Sequence, residues 1–452
     1  MKKMKHDVPI RLVKVLILIL MMVAFGFVWY GYYAARAQVH YYRRGDWVVI
    51  LLFGILYYGF CRSYDAFHIS ISPISEIIYS QTLALIISDF IMYVVIWLLS
   101  LYMPNAVPLL ITFGVQFLIS VLWTFLAHQW YFHNFQPGRT AVIYDLREGM
   151  ESLVGEYGME KKFHIEKVLG VEECLAKLSV LDEMDTVFLS GIHSHERNII
   201  LKYCMYQDIQ VYVIPRIGDV IMGGAKKVHM FHLPMLRIDR YRPIPEYTIA
   251  KRAFDILFSG IAIVIASPFM LVTAIAIKSD GGPALYKQKR LTKDGKEFNV
   301  LKFRSMRVDA EKDGVARLST GDKDDRITPV GKVIRKIRFD ELPQLFNILR
   351  GDMSIVGPRP ERPEIARQYE EEMPEFRLRL QAKAGLTGYA QVYGKYNTTP
   401  YDKLLMDLTY IGTPSLWEDF KICLATVKIL FMPESTEGVA EGATTAMGGE
   451  KH

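Results

Sequence analysis

Two adjacent carboxylates, Asp340 and Glu341, stand among the cations Arg335, Lys336 and Arg338. Further on, the chain runs Gly357-Pro358-Arg359-Pro360, a turn in which backbone and an arginine can approach a phosphate. Acids beside bases, close to a Gly/Pro loop that carries an arginine, suit a metal-assisted reaction on a phosphate. On a helix, neighbouring side chains point about 100° apart, so the two acids are not equivalent metal ligands. A divided role follows, in which one attacks or accepts a proton and the other holds a cation. The competing structural reading is a helix start, with both acids complementing the dipole and Pro343 in the first turn.

The elements that must position these groups begin with the membrane. At 452 residues the chain exceeds one ordinary domain, and it is 51% hydrophobic, as in a part-membrane protein. A net charge of +6 suits lysines and arginines kept on the cytoplasmic side, near anionic lipid. Nucleic-acid binding is not indicated, since there is no zinc-ligand spacing and no basic helix free of aliphatic residues. The cysteines, Cys61, Cys174, Cys204 and Cys423, are far apart and read as reduced core residues.

Residues 10–33 are almost wholly apolar after Lys2, Lys3, Lys5 and Arg11. They end in bulky Trp29-Tyr30-Gly31-Tyr32-Tyr33 rather than a small-residue cleavage site, which predicts a first transmembrane helix. Residues 47–60, 77–102 and 107–130 predict three more. Four spans return the chain to its starting side, and the basic N-terminus makes that side the cytoplasm. Arg36, Arg43 and Arg44 fall in the first outer loop. Asp89, deep in the third span, reads as a polar helix-helix contact, with a functional intramembrane acid as the alternative.

After Phe135-Gln136-Pro137-Gly138 the character changes. Strands at 140–144, 185–190 and 210–214, with a helix over 194–206, predict a small parallel α/β layer. A dinucleotide site needs Gly-x-Gly-x-x-Gly after the first strand; Asp145-Leu146-Arg147-Glu148-Gly149 has one glycine, so no dinucleotide is expected. His193 and His195 read as loop and helix-start residues, and His229 and His232 have no third ligand at useful spacing.

The stretch from Lys336 to Pro360 closely resembles the catalytic core of the bacterial sugar transferases, the polyprenyl-phosphate hexose-1-phosphate transferases. The likeness extends to Lys302-Phe303-Arg304-Ser305-Met306 upstream and to Gly385-Leu386-Thr387-Gly388-Tyr389-Ala390-Gln391-Val392 downstream, and covers about residues 246–432. The preceding residues are similar to the N-terminal half of the family's long members. The resemblance implies four transmembrane helices in 1–135 and a Rossmann-like α/β domain in 136–243. It also implies an α/β monotopic phosphoglycosyl transferase domain in 244–433, with a re-entrant membrane helix at 252–278. Residues 434–452 lack apolar periodicity and are expected to be disordered.

The implied reaction moves a hexose-1-phosphate from a UDP-sugar to undecaprenyl phosphate and releases UMP. It is a first membrane step of exopolysaccharide, capsule or O-antigen synthesis on the cytoplasmic face of the inner membrane, by a protein expected to be a homodimer. Asp340 would be the nucleophile, Glu341 would hold Mg²⁺ and Arg359 would clamp phosphate oxygens. Lys302 and Arg304, two apart on one strand face, could contact diphosphate, with a solvated basic face as the alternative. Arg338 is grouped with the substrate-binding residues. Arg326 matches the family's pattern and would help bind the donor; an ion pair with a neighbouring aspartate is the alternative. Thr387 and Gln391 would help form the nucleotide pocket, and Asp407 and Tyr410 read as structural supports. Thr292 stands where family members usually have glycine, in a predicted hairpin of 286–290 and 298–304.

Residues 256–277 carry no charge and are long enough to span, with Ser267-Pro268 at their centre. Proline removes a helix hydrogen bond, and serine can help satisfy the freed backbone. A full crossing would put Asp340 outside, away from cytosolic nucleotide sugars. Lys251, Arg252 and Lys278 also place both ends near one anionic face. The expectation is a helix that breaks at Ser267-Pro268 and returns. Residues 309–325 read as a flexible surface loop. Residues 417–431 form an amphipathic helix that packs on the core or lies at the bilayer surface. Two other functions compete. One is another phosphotransferase acting on the same lipid, for which dense aspartate motifs are absent. The other is a non-enzymatic scaffold for polysaccharide assembly.

Overall fold

The computed structural model describes residues 4–36, 44–100, 102–147, 149–279, 281–307, 326–394 and 398–430. The predicted loop 309–325 and the predicted tail 434–452 lie outside the described residues. The chain divides into two compact units, 1–214 and 215–452.

The first unit opens with helices α1 (Met4–Val28), α2 (Arg44–Ser63), α3 (Ile74–Leu99) and α4 (Val107–Asn134). All four are long and apolar enough to cross a membrane. A π-helical turn, Trp29–Tyr33, extends α1. A polar seam joins α3 to α4, where Ser120 Oγ donates to Gln81 Oε1 at 2.5 Å. Asp89 is buried on α3, and its carboxylate oxygens have no hydrogen-bond partner among the described residues.

Next come β1 (Gly138–Tyr144), α5 (Met150–Glu156), β2 (Phe163–Gly170), α6 (Val171–Ala176), β3 (Thr186–Ser190), α7 (Ser194–Tyr206) and β4 (Gln210–Val213). The strands form one parallel sheet in the order β2-β1-β3-β4. Successive side chains of a strand point to opposite faces, so the central strands feed two cores. Ala141, Ile143, Val187 and Leu189 pack with Ile200 and Cys204 of α7, while Val142 and Phe188 pack with Val154 of α5.

The second unit starts at Pro215, ahead of the 243/244 boundary that the resemblance implies. Helix α8 (Ile217–Gly223) and the hairpin β5 (Lys226–Met230) and β6 (Leu233–Arg237) belong to it. Ile217, Val220 and Tyr241 pack on the core made by Tyr369, Phe376, Leu404 and Leu408, which ties residues 215–243 to this unit.

Helix α9 (Pro245–Lys278) follows, the fifth helix of membrane-spanning length and hydropathy. It runs without interruption through Ser267-Pro268, where the sequence predicts a break. Pro268 cannot donate to the carbonyl four residues back. Ser267 Oγ does so instead, reaching the Val264 carbonyl at 2.8 Å. One stripe of α9 is covered: Asp255, Ser259, Met270 and Ile277 are buried. Ala262, Ile263, Ala266 and Ala274 pack on adjoining cores. These positions recur every three or four residues, one face of a helix. Leu257, Val264, Ile265, Phe269, Leu271, Val272 and Ile275 point away and are exposed.

The remainder carries the predicted hairpin, β7 (Leu285–Leu291) with β8 (Glu297–Phe303), in register Tyr286↔Lys302. Then come α10 (Pro329–Lys336), α11 (Gln344–Arg350), β9 (Ser354–Val356), α12 (Pro363–Glu372), β10 (Gly385–Thr387), α13 (Tyr389–Tyr393), α14 (Pro400–Gly412) and α15 (Leu416–Leu430). The hairpin turn does not need glycine at 292. Thr292 is extended, and its hydroxyl donates to the Asp352 carbonyl and accepts from the Ala384 amide at 3.0 and 3.2 Å.

Candidate active site

Thr328 caps α10, its side chain accepting from the Gly331 amide at 2.9 Å. After α10 the backbone turns sharply at Arg338, a non-glycine residue with φ of 53°. Such a conformation is uncommon for a residue with a Cβ and gathers at functional sites. Asp340 and Glu341 follow on a 3₁₀ turn, Phe339–Glu341, rather than on an α-helix. With three residues per turn, their side chains diverge by about 120°. Pro343 then caps α11, so the acids precede that helix instead of filling its first turn.

Two other elements deliver cations to Glu341. Lys302, on β8, places Nζ at 2.9 Å from Glu341 Oε1. Arg359, just past β9, places Nη2 at 3.3 Å from the same oxygen. Asn347, fully buried on α11, fixes β8 against the carboxylates. Its Oδ1 accepts from the Leu301 amide at 2.9 Å, and its Nδ2 donates to the Asn299 carbonyl at 2.9 Å.

The loop bearing Arg359 is held from beneath. Arg379 Nη2 donates to the Arg359 carbonyl at 2.9 Å, and Arg290 Nη1 to the Pro360 carbonyl at 3.0 Å. Arg379 is buried against Asp407 at 2.6 Å and also faces Glu361 at 3.5 Å. Asp407 is thus a structural support, as read from the sequence. Strands β9 and β10 pair in parallel, and the Gly357 amide donates to the Thr387 carbonyl at 2.9 Å. Glycine is required here by close approach, because a Cβ on Gly385 would lie 2.2 Å from the Gly357 nitrogen.

The electrostatics separate the two acids. Burial pushes the Asp340 carboxyl up, and the charge of Glu341 adds to this, against a smaller pull from Lys302 and Arg335. Burial also opposes ionisation of Glu341, but Lys302, Arg359 and Arg338 outweigh it and hold that carboxyl well below the usual carboxylate range. Neighbouring acids with opposed shifts are a mark of divided roles.

The other residues expected to bind substrate make the following contacts. Lys302 and Arg304 do not reach the same partner. Arg304 is buried, and its guanidinium donates to the carbonyls of Pro283 at 2.8 Å, Ile277 at 3.0 Å and Met306 at 3.3 Å. Arg326 sits beside the bridge between Met306 and Ile327, its carbonyl accepting from the Arg307 amide at 2.9 Å. The Thr387 hydroxyl lies 2.6 Å from that of Thr426, and Gln391 Nε2 donates to the Leu386 carbonyl at 3.1 Å. Asn347, Arg290 and Arg379 were not singled out as site residues from the sequence.

No group of three or more His, Cys, Asp or Glu gathers among the described residues. Mg²⁺ does not require one, since it keeps several waters and binds through one or two carboxylates plus substrate phosphates. An ionised Glu341 next to Asp340 fits that donor set.

The fold and the site together define a membrane protein with a unit suited to phosphate chemistry. Comparison with known proteins gives the family. The model of the bacterial sugar transferase family matches residues 246–433. A UDP-glucose:undecaprenyl-phosphate glucose-1-phosphate transferase of Caulobacter vibrioides is 40% identical over 201 residues, 43% of this chain and 74% of that protein. A UDP-N-acetylgalactosamine-undecaprenyl-phosphate N-acetylgalactosaminephosphotransferase of Aeromonas hydrophila is 40% identical over 234 residues, 51% of this chain and 54% of that protein. An undecaprenyl-phosphate galactose phosphotransferase of Salmonella typhimurium is 38% identical over 236 residues, 49% of each chain. The chain belongs to the bacterial sugar transferase family. The matches span about half the length of most of these relatives.

Proposed function

We propose that the chain transfers a hexose-1-phosphate from a UDP-sugar to undecaprenyl phosphate, yielding undecaprenyl-diphosphate-sugar and UMP. The single observation that carries this reading is the carboxylate pair: Asp340 pushed up, Glu341 held ionised under Lys302 and Arg359. The relatives support it, being named for transfer of a sugar phosphate to undecaprenyl phosphate. Their sugars differ, so the donor's hexose is left open.

The reaction runs in two displacements. An Asp340 carboxylate oxygen attacks the sugar-bearing phosphorus, and the bond from that phosphorus to the oxygen of UMP breaks. A phosphosugar is left on Asp340. An oxygen of the lipid phosphate then attacks the same phosphorus and frees the Asp340 carboxylate. Arg359 and Lys302 meet the anionic oxygens, and Arg338 adds positive charge beside them. Glu341, with substrate oxygens, would hold Mg²⁺, which when bound neutralises charge on the diphosphate and the departing UMP.

In this reading α9, helical throughout, bends at Ser267-Pro268, dips into one leaflet and returns, on the cytoplasmic face of the inner membrane. Its covered stripe, from Asp255 to Ile277, lies on the catalytic unit along nearly its whole length, while apolar side chains fill the opposite face. A crossing helix would drag that polar unit through hydrocarbon, where unsatisfied backbone and charge are costly. The test is UMP release by nanodisc-held protein with Mg²⁺ and undecaprenyl phosphate across a panel of UDP-sugars. Release with at least one donor is expected, and no release from glucose, galactose or N-acetylated donors counts against the reading.

A further inference from the structure

One turn of α9 grips both sides of the carboxylate site. Arg252 and Asp255 are three residues apart and so are neighbours on the helix surface. Arg252 Nη1 donates to the Ile348 carbonyl at 2.6 Å, and its Nη2 to the Leu349 carbonyl at 2.7 Å. These carbonyls lie in the last turn of α11, where intrahelical donors run out; that of Ile348 also accepts from the Gly351 amide at 3.0 Å. The other end of α11 follows Asp340 and Glu341 directly, through Leu342 and Pro343. Asp255 is 4% exposed and accepts at Oδ1 from Ser354 Oγ at 3.1 Å and from the Ile355 amide at 2.9 Å. Those residues open β9, the strand that delivers Arg359.

A buried carboxylate at the head of the uncharged run 256–277 is expensive unless it is partnered, and alanine would serve the helix better. The two donors on β9 supply that partnership. We propose that Arg252 and Asp255 are positioning residues that set the separation between the Asp340-Glu341 pair and Arg359, and tie that separation to the helix seated in the membrane. The proposal rests on the transfer reading above. Neither residue touches the reacting atoms. Arg252 acts through α11 and Asp255 through β9.

The experiment uses the full chain in nanodiscs, with Asp255→Ala, Asp255→Asn and Arg252→Gln, and Thr248→Ala as an exposed control on the same helix. Donor KM and kcat are measured per active molecule, with the active fraction taken from the amplitude of the UMP burst. Asp255→Ala and Arg252→Gln should raise donor KM on the order of tenfold, since sub-ångström misplacement of a binding group is felt in rate and affinity. Asp255→Asn keeps an oxygen for the Ile355 amide and should fall between Ala and the parent, while Thr248→Ala is unchanged. A loss of active fraction alone, with KM unmoved, would mean a merely structural role and would overturn the proposal. Hydrogen exchange supplies a readout independent of turnover. Asp255→Ala should lose protection at 354–361 while the β7–β8 hairpin keeps its own, and unchanged protection at 354–361 overturns the coupling. If the parent protein releases no UMP from any donor, the transfer reading fails and exchange alone decides the coupling.

Discussion

Lys302 Nζ and Arg359 Nη2 reach one and the same oxygen, Glu341 Oε1, at 2.9 and 3.3 Å. The two cations arrive from a strand and from a loop far apart in the chain. Their convergence on Glu341 holds that acid ionised while its neighbour Asp340 is pushed the other way by burial and by Glu341 itself.

That relationship fixes the acidic limb of the pH profile. Attack needs Asp340 ionised, so the rate should fall as pH drops through its raised pKa. Glu341→Gln removes the negative neighbour and should move the limb to lower pH, besides reducing the maximal rate. Lys302→Met removes a positive neighbour and should move it to higher pH. Profiles of kcat/KM for the donor check this, and shifts of the same sign in both variants would contradict it.

The stability consequence has a definite sign. Asp340 binds its proton more tightly in the folded state than in the unfolded one, because burial disfavours the charge. Between the unfolded and the raised folded pKa the native state binds more protons, so stability falls as pH rises through that window. Asp340→Asn should therefore raise the melting midpoint at neutral pH while lowering turnover by more than about a thousandfold. Glu341 has the opposite sign: its stabilisation is present above the usual glutamate range and is lost as pH falls toward its depressed pKa.

Beneath the Arg359 loop, Asp407→Ala should be among the more damaging substitutions. It leaves Arg379, 3% exposed, without its 2.6 Å partner. Breaking a buried pair from one side costs about 3–5 kcal/mol. For a unit of this size that is roughly a 10 °C drop in melting midpoint, readable by calorimetry. A change within 2 °C, on the order of half a kcal/mol, would show the pair to be dispensable.

Much of the site is written contiguously and so was legible. Asp340, Glu341 and Arg359 sit within one stretch, and Lys302 within a second. The residues that hold them were harder to see, because their partners are distant in sequence. Asn347 looks like one polar residue in a short helix, and Arg379 like part of a solvated face. Their buried contacts, 46 residues from Leu301 and 28 from Asp407, exist only in the fold. The same holds for Arg304, whose two-residue spacing from Lys302 predicted a shared face, while its guanidinium turns to the end of α9. In the sheet, β2 escaped notice because it is an edge strand whose apolar/polar alternation is interrupted by the adjacent Glu166 and Lys167. The covered stripe of α9 is built partly from alanines, which hydropathy does not distinguish from a lipid-facing surface.

The path of α9 can be checked by labelling. Thr248 and Ser279 flank the helix core and are exposed. Single cysteines at these positions, in a cysteine-free background, should react with a membrane-impermeant maleimide from the same side. Labelling from opposite sides would establish a full crossing. Ser267→Ala should cost about 1 kcal/mol, the usual worth of a hydrogen bond, by leaving the Val264 carbonyl without its 2.8 Å donor.

The central claim is that Asp340 carries the phosphosugar. The most direct test incubates the nanodisc-held protein with its UDP-sugar and no acceptor lipid, then maps the mass of the peptide 339–350 after rapid acid quench. The account predicts a hexose-phosphate increment on that peptide, discharged by added undecaprenyl phosphate and absent from Asp340→Asn. UMP release with no adduct on the peptide, or appreciable turnover by Asp340→Asn, would contradict it.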